Sequence, residues 1–212
     1  MGAVGTVLKK IVPSSVIRHK LGVKNSILFT FDDGPKPGIT PEILDVLDKY
    51  NAKAVFFVPS ANIHKAPELL NEVLDRGHIL GNHGHSHTPC SELSYQEIVD
   101  EINQCKQMIF EQTGFTTTLF RPPCGIVTPA LLLAARKTKH AIFKWSLDTG
   151  EYSYLLRAPA DKLAENFIQK IHDSAIVLSH DTFGEIPKLV DIVAPQMQAK
   201  GYNLSNAVEQ WR

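Results

Sequence analysis

The stretch "ILFTFDDGP", residues 27–35, sets an apolar run against two consecutive carboxylates, a glycine and a proline. The apolar half reads as a buried strand, and Asp, Gly and Pro are residues that end strands in turns. A turn alone does not call for two like charges side by side. On an extended backbone adjacent side chains point to opposite faces, so Asp32 and Asp33 need not share one environment or one role. The rest of the chain decides whether this is a plain turn or the mouth of a site.

The same alternation repeats on either side. Apolar or β-branched runs recur at residues 26–31, 54–58, 79–81, 118–120, 141–147 and 176–179. Helix-like segments separate them. Thr40-Pro41 and Thr128-Pro129 each offer an N-cap followed by proline at the first helical position. Ser94 with Glu97 forms a capping-box pattern that opens a long periodic segment running toward Thr113. Segments 67–76, 159–172 and 185–200 also carry apolar residues at helical spacing. The acid-rich segment 41–50 reads as a solvated face. Strands alternating with helices imply a mainly parallel α/β sheet, open or closed into a barrel. The 212 residues read as one domain, 1–212, with its core at about 26–206.

Composition narrows the function classes. Twenty-two basic residues balance twenty-two acidic ones, so no net field draws nucleic acid or an anionic membrane. No apolar stretch is long enough to span a bilayer. Cys90, Cys105 and Cys124 form no CxxC pair, which argues against a disulfide framework and a cysteine zinc site. The N-terminal MGAVGTVLKKIVPSS lacks a signal-peptide pattern because Lys9 and Lys10 interrupt its apolar stretch. That implies an intracellular chain unless a targeting segment has been removed. Gly2 with Thr6 fits only the permissive myristoylation pattern.

Polar residues fall where the runs end. Asp32 and Asp33 follow the first run, His83 the third, Arg121 the fourth, Asp148 the fifth and His180 the last. In a parallel barrel such carboxyl ends converge on one face, where barrel enzymes place their chemistry. An open doubly wound sheet gathers ligands only at its switch point, and no GxGxxG loop is present. A barrel is the better expectation. In "GNHGHSHT", residues 81–88, His83 and His87 would lie on one face of a helical turn while His85 points away. Two imidazoles at i and i+4 can reach one metal ion, with Asp33 as an oxygen ligand, a set common at catalytic zinc. His64, His140 and His172 read as solvated, and His78 and His85 as structural neighbours of the site.

These residues resemble the polysaccharide deacetylases, the NodB-like carbohydrate esterases that include chitin deacetylases and peptidoglycan N-acetylglucosamine deacetylases. The resemblance covers roughly residues 27–202 and rests on five motifs in family order. "TFDDGP" at 30–35 matches the first unchanged. "HGHSH" at 83–87 keeps both histidines of H-[ST]-x-x-H, with Gly84 for the usual Ser or Thr. "RPPCG" at 121–125 has Cys124 where Tyr is usual. "DTGEY" at 148–152 resembles D-x-x-D-[WY] with Glu151 for the second Asp, and "LSH" at 178–180 matches the last.

The resemblance implies a distorted (β/α) barrel of the NodB-like fold and a metal-dependent chitin deacetylase. Its substrate would be N-acetylglucosamine units of chitin or chitin oligomers, with release of acetate. Asp33, His83 and His87 would hold Zn2+, or Co2+ or another divalent ion, which lowers the pKa of bound water and polarises the acetamide carbonyl. Asp32 would be the general base, oriented by Arg121. The metal and the Cys124 backbone N–H would stabilise the oxyanion, and His180, oriented by Glu151, would protonate the departing amine. Tyr152, Leu178 and Trp145 would line the sugar site. The extra methylene of Glu151 is expected to detune His180, so that Asp there raises turnover. A monomer without nucleic-acid partner or membrane span is expected. The family is often secreted or cell-wall associated. Two other readings stay open: a hydrolase of another C–N amide bond, and a silenced sugar-binding homologue.

Overall fold

A computed structural model describes residues 17–152 and 158–211. Among these, eight strands make one parallel sheet: β1 (Ile17–Arg18), β2 (Ile27–Asp32), β3 (Ala54–Val58), β4 (Ile79–Asn82), β5 (Leu119–Phe120), β6 (Ala141–Phe143), β7 (Leu147–Asp148) and β8 (Ala175–His180). Their spatial order is β1-β6-β5-β4-β3-β2-β8-β7. The helices are α1 (Ile39–Lys49), α2 (Pro67–Asp75), α3 (Tyr95–Thr113), α4 (Pro129–Thr138), α5 (Ala160–Ile168) and α6 (Ile186–Ala199). Residues 1–16, with the myristoylation pattern, lie outside the described residues. No described helix is long and apolar enough to cross a membrane.

Strand β2 is buried along its whole length, as a central parallel strand covered on both faces must be. Ile27, Phe29 and Phe31 face the helix layer, where they meet Ile43, Leu44 and Leu47 of α1 and Leu189, Val190 and Val193 of α6. Each such buried side chain contributes roughly 1.5–3 kcal/mol of transfer free energy. Leu28 faces the other way, into a cluster with Val55, Phe57, Ile79, Phe143 and Ile176. The two-residue period then puts Thr30 and Asp32 on that same inner face. The apolar run thus delivers a carboxylate to the top of the sheet's inside.

The sheet is curled, and the link from β6 to β7 shows why it must be. These strands lie near opposite edges of the sheet, and six flat inter-strand spacings would hold them about 29 Å apart. Only Lys144, Trp145 and Ser146 join them, and four residue steps reach at most about 14 Å. The edges therefore swing together. The Lys144 N–H donates to Arg18 O at 2.7 Å and the Ser146 N–H to Ile176 O at 3.0 Å, one bond to each side of the seam. This is the distorted (β/α) barrel expected from the sequence.

Several local expectations change. The run 141–147 is not one strand but two, because the seam interrupts it. Helix α1 begins at Ile39 with Gly38 as its N-cap. The Thr40 hydroxyl is occupied instead in donating to Asp181 Oδ2 at 2.6 Å and accepting from Lys36 N at 2.8 Å. The acid-rich segment keeps a buried face through Ile43, Leu44 and Leu47. At Thr128 the expected cap forms, accepting from Leu131 N. Ser94 and Glu97 complete a reciprocal capping box on α3. His140 is buried rather than solvated, and burial, reinforced by the charge of Lys106, pushes its pKa down to about 4.

Candidate active site

The carboxyl ends of the strands bring three groups of side chains together. The first is built around Asp32, at the tip of β2 and in register with His180 on β8. Asp32 is 3% exposed. Its Oδ1 accepts from Arg121 Nη1 at 2.7 Å, and the same Nη1 reaches Thr30 Oγ1 at 2.7 Å. Arg121 directly follows β5, fully buried. Its Nε donates to Phe143 O and its Nη2 to Lys144 O, and its guanidinium lies 4.2 Å from the Phe57 ring centroid. Burial lowers the Arg121 pKa while Asp32 opposes that shift; an arginine stays charged all the same. Held by Thr30, Phe143 O and Lys144 O, the guanidinium gives the carboxylate one charge-assisted bond from a fixed position.

The second group is Asp33, His83 and His87, which can offer three ligand atoms within 4.8 Å of one another. His83 and His87 do not stand on a helical turn. They lie in the loop after β4, where left-handed backbone at Gly84 (φ 80°) and His87 (φ 61°) folds the second ring back beside the first. The ring centroids are 5.0 Å apart. His85 is turned away from them and its Nδ1 lies 2.8 Å from Ser60 Oγ. Asp33 itself has left-handed φ of 74°, so the chain leaves the strand between the two aspartates. Its Oδ1 is 3.1 Å from His87 Nε2 and 3.5 Å from His83 Nε2.

The donor set of this second group fits a divalent cation. His83 Nδ1 lies 2.7 Å from Arg121 O. A carbonyl only accepts, so Nδ1 carries a proton and Nε2 is the ring nitrogen left to face Asp33. Asp33 Oδ1 is buried and receives no well-aligned hydrogen bond. Two ring nitrogens converging on a carboxylate oxygen are a donor set that a divalent cation can bind. Burial works to raise the Asp33 carboxyl, but the neighbouring His83 and His87 hold it well below the usual carboxylate range. Contact with Asp33 in turn raises His87, against the effect of burial.

The third group faces these across the opening. His180 Nδ1 lies 2.8 Å from Glu151 Oε1, and the Thr149 hydroxyl donates to Glu151 Oε2. Burial works to lower the His180 pKa, but Glu151 and the charges of Asp32 and Asp33 raise it on balance. Glu151 is buried and in direct hydrogen-bond contact, so its longer side chain reaches the imidazole. The extra methylene therefore does not carry the carboxylate out of reach of His180. Tyr152 is exposed and packs edge-on to His180, with centroids 4.2 Å apart. Leu178 is buried one pleat below His180 on the same face. Trp145 is half-buried, 5.7 Å from the Arg121 guanidinium. Cys124 is exposed and adopts φ 56°. His78 is buried with its Nδ1 accepting from Ala54 N, near the start of β4.

Other residues of this region carry no motif signal. Asn62 Nδ2 donates to Asp33 O at 2.9 Å and helps hold its left-handed backbone. Asp181, next to His180, packs its carboxyl against Gly34, where an added Cβ would sit 2.0 Å from Oδ2. Burial pushes the Asp181 carboxyl up to about 7.

The sequence profile described as "Polysaccharide deacetylase" matches residues 20–143. The peptidoglycan-N-acetylglucosamine deacetylase PgdA of Listeria monocytogenes is 32% identical over 200 residues, which are 93% of this chain and 42% of that protein. The chain therefore spans less than half the length of that relative. The crystal structure of the Bc1960 peptidoglycan N-acetylglucosamine deacetylase, bound to 4-naphthalen-1-yl-N-oxidanyl-benzamide, matches with a TM-score of 0.84 at 26% identity, covering 94% of this chain and 92% of that one. A carbohydrate esterase family 4 pseudoenzyme from Bacillus anthracis, BA3943, matches with a TM-score of 0.85 at 25% identity, covering 93% of this chain and 69% of that one.

Proposed function

The chain belongs to the polysaccharide deacetylase family, and on that premise we propose that it hydrolyses the N-acetyl group of N-acetylglucosamine units in a glycan, releasing acetate. The observation that carries this reading is the meeting of a buried Asp–Arg pair, an Asp–His–His cluster and a His–Glu pair at one strand-end face. For the polymer, the names of PgdA and Bc1960 favour peptidoglycan over the chitin expected from the motifs alone.

Asp33, His83 and His87 would hold Zn2+, with Co2+ or another divalent ion as alternatives. Such an ion supplies a Lewis acid that polarises the acetamide carbonyl and makes water acidic enough to attack near neutral pH. Asp32, fixed by Arg121, takes the proton of the attacking water as the C–O bond forms. The Cys124 N–H serves as a donor to the developing oxyanion. His180, held protonated by Glu151, passes its proton to the nitrogen as the C–N bond breaks. Acetate and a free amine result. Tyr152, Trp145 and Leu178 give the sugar an apolar and aromatic border.

A second reading, a silenced sugar-binding protein, draws on the likeness to the pseudoenzyme BA3943 and on Cys124 at a motif position where Tyr is usual. Acetate release from peptidoglycan glycans and from chitin oligomers, each with and without a chelator, separates the readings. Chelator-sensitive release that is faster on peptidoglycan supports the first. Glycan binding without release from either polymer supports the second.

A further inference from the structure

The two histidines of the cation site sit on a loop that has no regular secondary structure, so something outside the loop must hold them in convergence. That holder is found on α3. Glu101 Oε2 accepts two consecutive backbone donors, His85 N at 2.7 Å and Ser86 N at 2.8 Å. These residues stand between the two ligands. A charge-assisted pair of hydrogen bonds to one oxygen fixes both peptide planes at once.

Neighbouring contacts are built around the same clamp. Gly84 has φ 80°, and an added Cβ there would lie 3.1 Å from Glu101 Oε2. Glycine thus serves both the left-handed turn and the approach of the carboxylate. Gly84 N donates to Asn82 Oδ1 at 2.9 Å, and Asn82 Nδ2 donates to Ile102 O at 2.8 Å, tying the loop to the next residue of α3. On the other side Ser60 N donates to Gly84 O and Ala61 N to His85 O. The loop is held from two directions, and Glu101 supplies the ionic hold.

Resting on the cation site of the reading above, we infer that Glu101 is a positioning residue for that site. Its carboxylate fixes the His85–Ser86 backbone so that His83 and His87 meet Asp33. Partners one shell out from a metal ligand typically change its affinity by about 10–100-fold when removed, and Glu101→Ala should weaken Zn2+ binding by that order. Glutamine keeps an acceptor oxygen without the charge, so Glu101→Gln should lose less than about tenfold. Once Zn2+ is saturating, turnover should recover with KM unchanged.

The test titrates Zn2+ against a competing chelator in the full chain, for wild type, Glu101→Ala, Glu101→Gln and Asp100→Ala. Asp100 is an exposed residue of the same helix. The expected order is wild type and Asp100→Ala together, then Glu101→Gln, then Glu101→Ala. Wild-type affinity in Glu101→Ala overturns the inference, as does equal weakening in Asp100→Ala. If Glu101→Ala does not fold, Glu101→Gln decides: an unchanged affinity overturns the inference, and a weakened one supports it. Acetate release is measured in parallel. Glu101-dependent Zn2+ binding without acetate release leaves the inference standing and rejects the deacetylase reading.

Discussion

Asp32 and Asp33 are neighbours in sequence, yet they belong to regions built on different principles. Asp32 ends a strand inside the curled sheet, where Arg121 meets it at 2.7 Å and is itself held by Thr30. Asp33 has already left the strand at φ 74° and faces two imidazoles on a loop. Around Asp32 a buried guanidinium compensates the charge. Around Asp33 the neighbours are two imidazoles, and the three side chains could together hold a cation. A rigid, self-sufficient pair suits a proton acceptor whose position must not change. An open cluster suits an exchangeable ion.

This contrast can be attacked at each end. The largest effect is expected from His83→Ala or His87→Ala, which should abolish stoichiometric metal in elemental analysis of the purified protein. Full retention in either variant would remove the cation site. Next comes Arg121→Met, which leaves Asp32 as an uncompensated buried charge and should cost about 3–5 kcal/mol in chemical denaturation. A change of less than 1 kcal/mol, on the order of an exposed pair's contribution, would show that the pair is not the buried anchor described here.

A smaller effect sharpens the comparison at His180. Its raised pKa keeps the imidazole protonated to higher pH, and Glu151 contributes to that rise. Glu151→Gln should therefore move the alkaline limb of the pH–rate profile down by about one pH unit. Glu151→Asp, which shortens a side chain already in contact, should slow turnover several-fold and move that limb downward. Faster turnover in the Asp variant would restore the mismatch expected from the motif. The smallest effect belongs to His85→Ala, because the ring faces Ser60 and metal stoichiometry should be nearly unchanged.

Much of this was legible in the sequence because it depends on local rules. The buried runs, the capping box at Ser94 and Glu97, the Thr128 cap and the charged residues at strand ends all follow from short-range pattern. What escaped depends on closure. Residues 141–147 look like one apolar run, and only the curl of the sheet shows that Lys144 to Ser146 must cross a seam. Thr40 has the composition of a cap, but a buried carboxyl more than a hundred residues away, Asp181, competes for its hydroxyl. His83 and His87 have helical spacing, yet Gly84 supplies a left-handed turn that periodicity does not register. Glu101 reads as one more exposed acid on an amphipathic helix, since its partners are backbone groups of a distant loop.

The division of labour between the two aspartates is tested most directly by measuring bound metal and acetate release together in Asp32→Asn and Asp33→Asn. Loss of a general base typically costs about 10²–10⁴-fold in rate. Asp32→Asn should therefore keep its metal and lose turnover on that scale. Asp33→Asn should lose the metal itself, with turnover partly restored by excess Zn2+. Equal loss of metal in both variants, or full turnover in Asp32→Asn, would contradict the account.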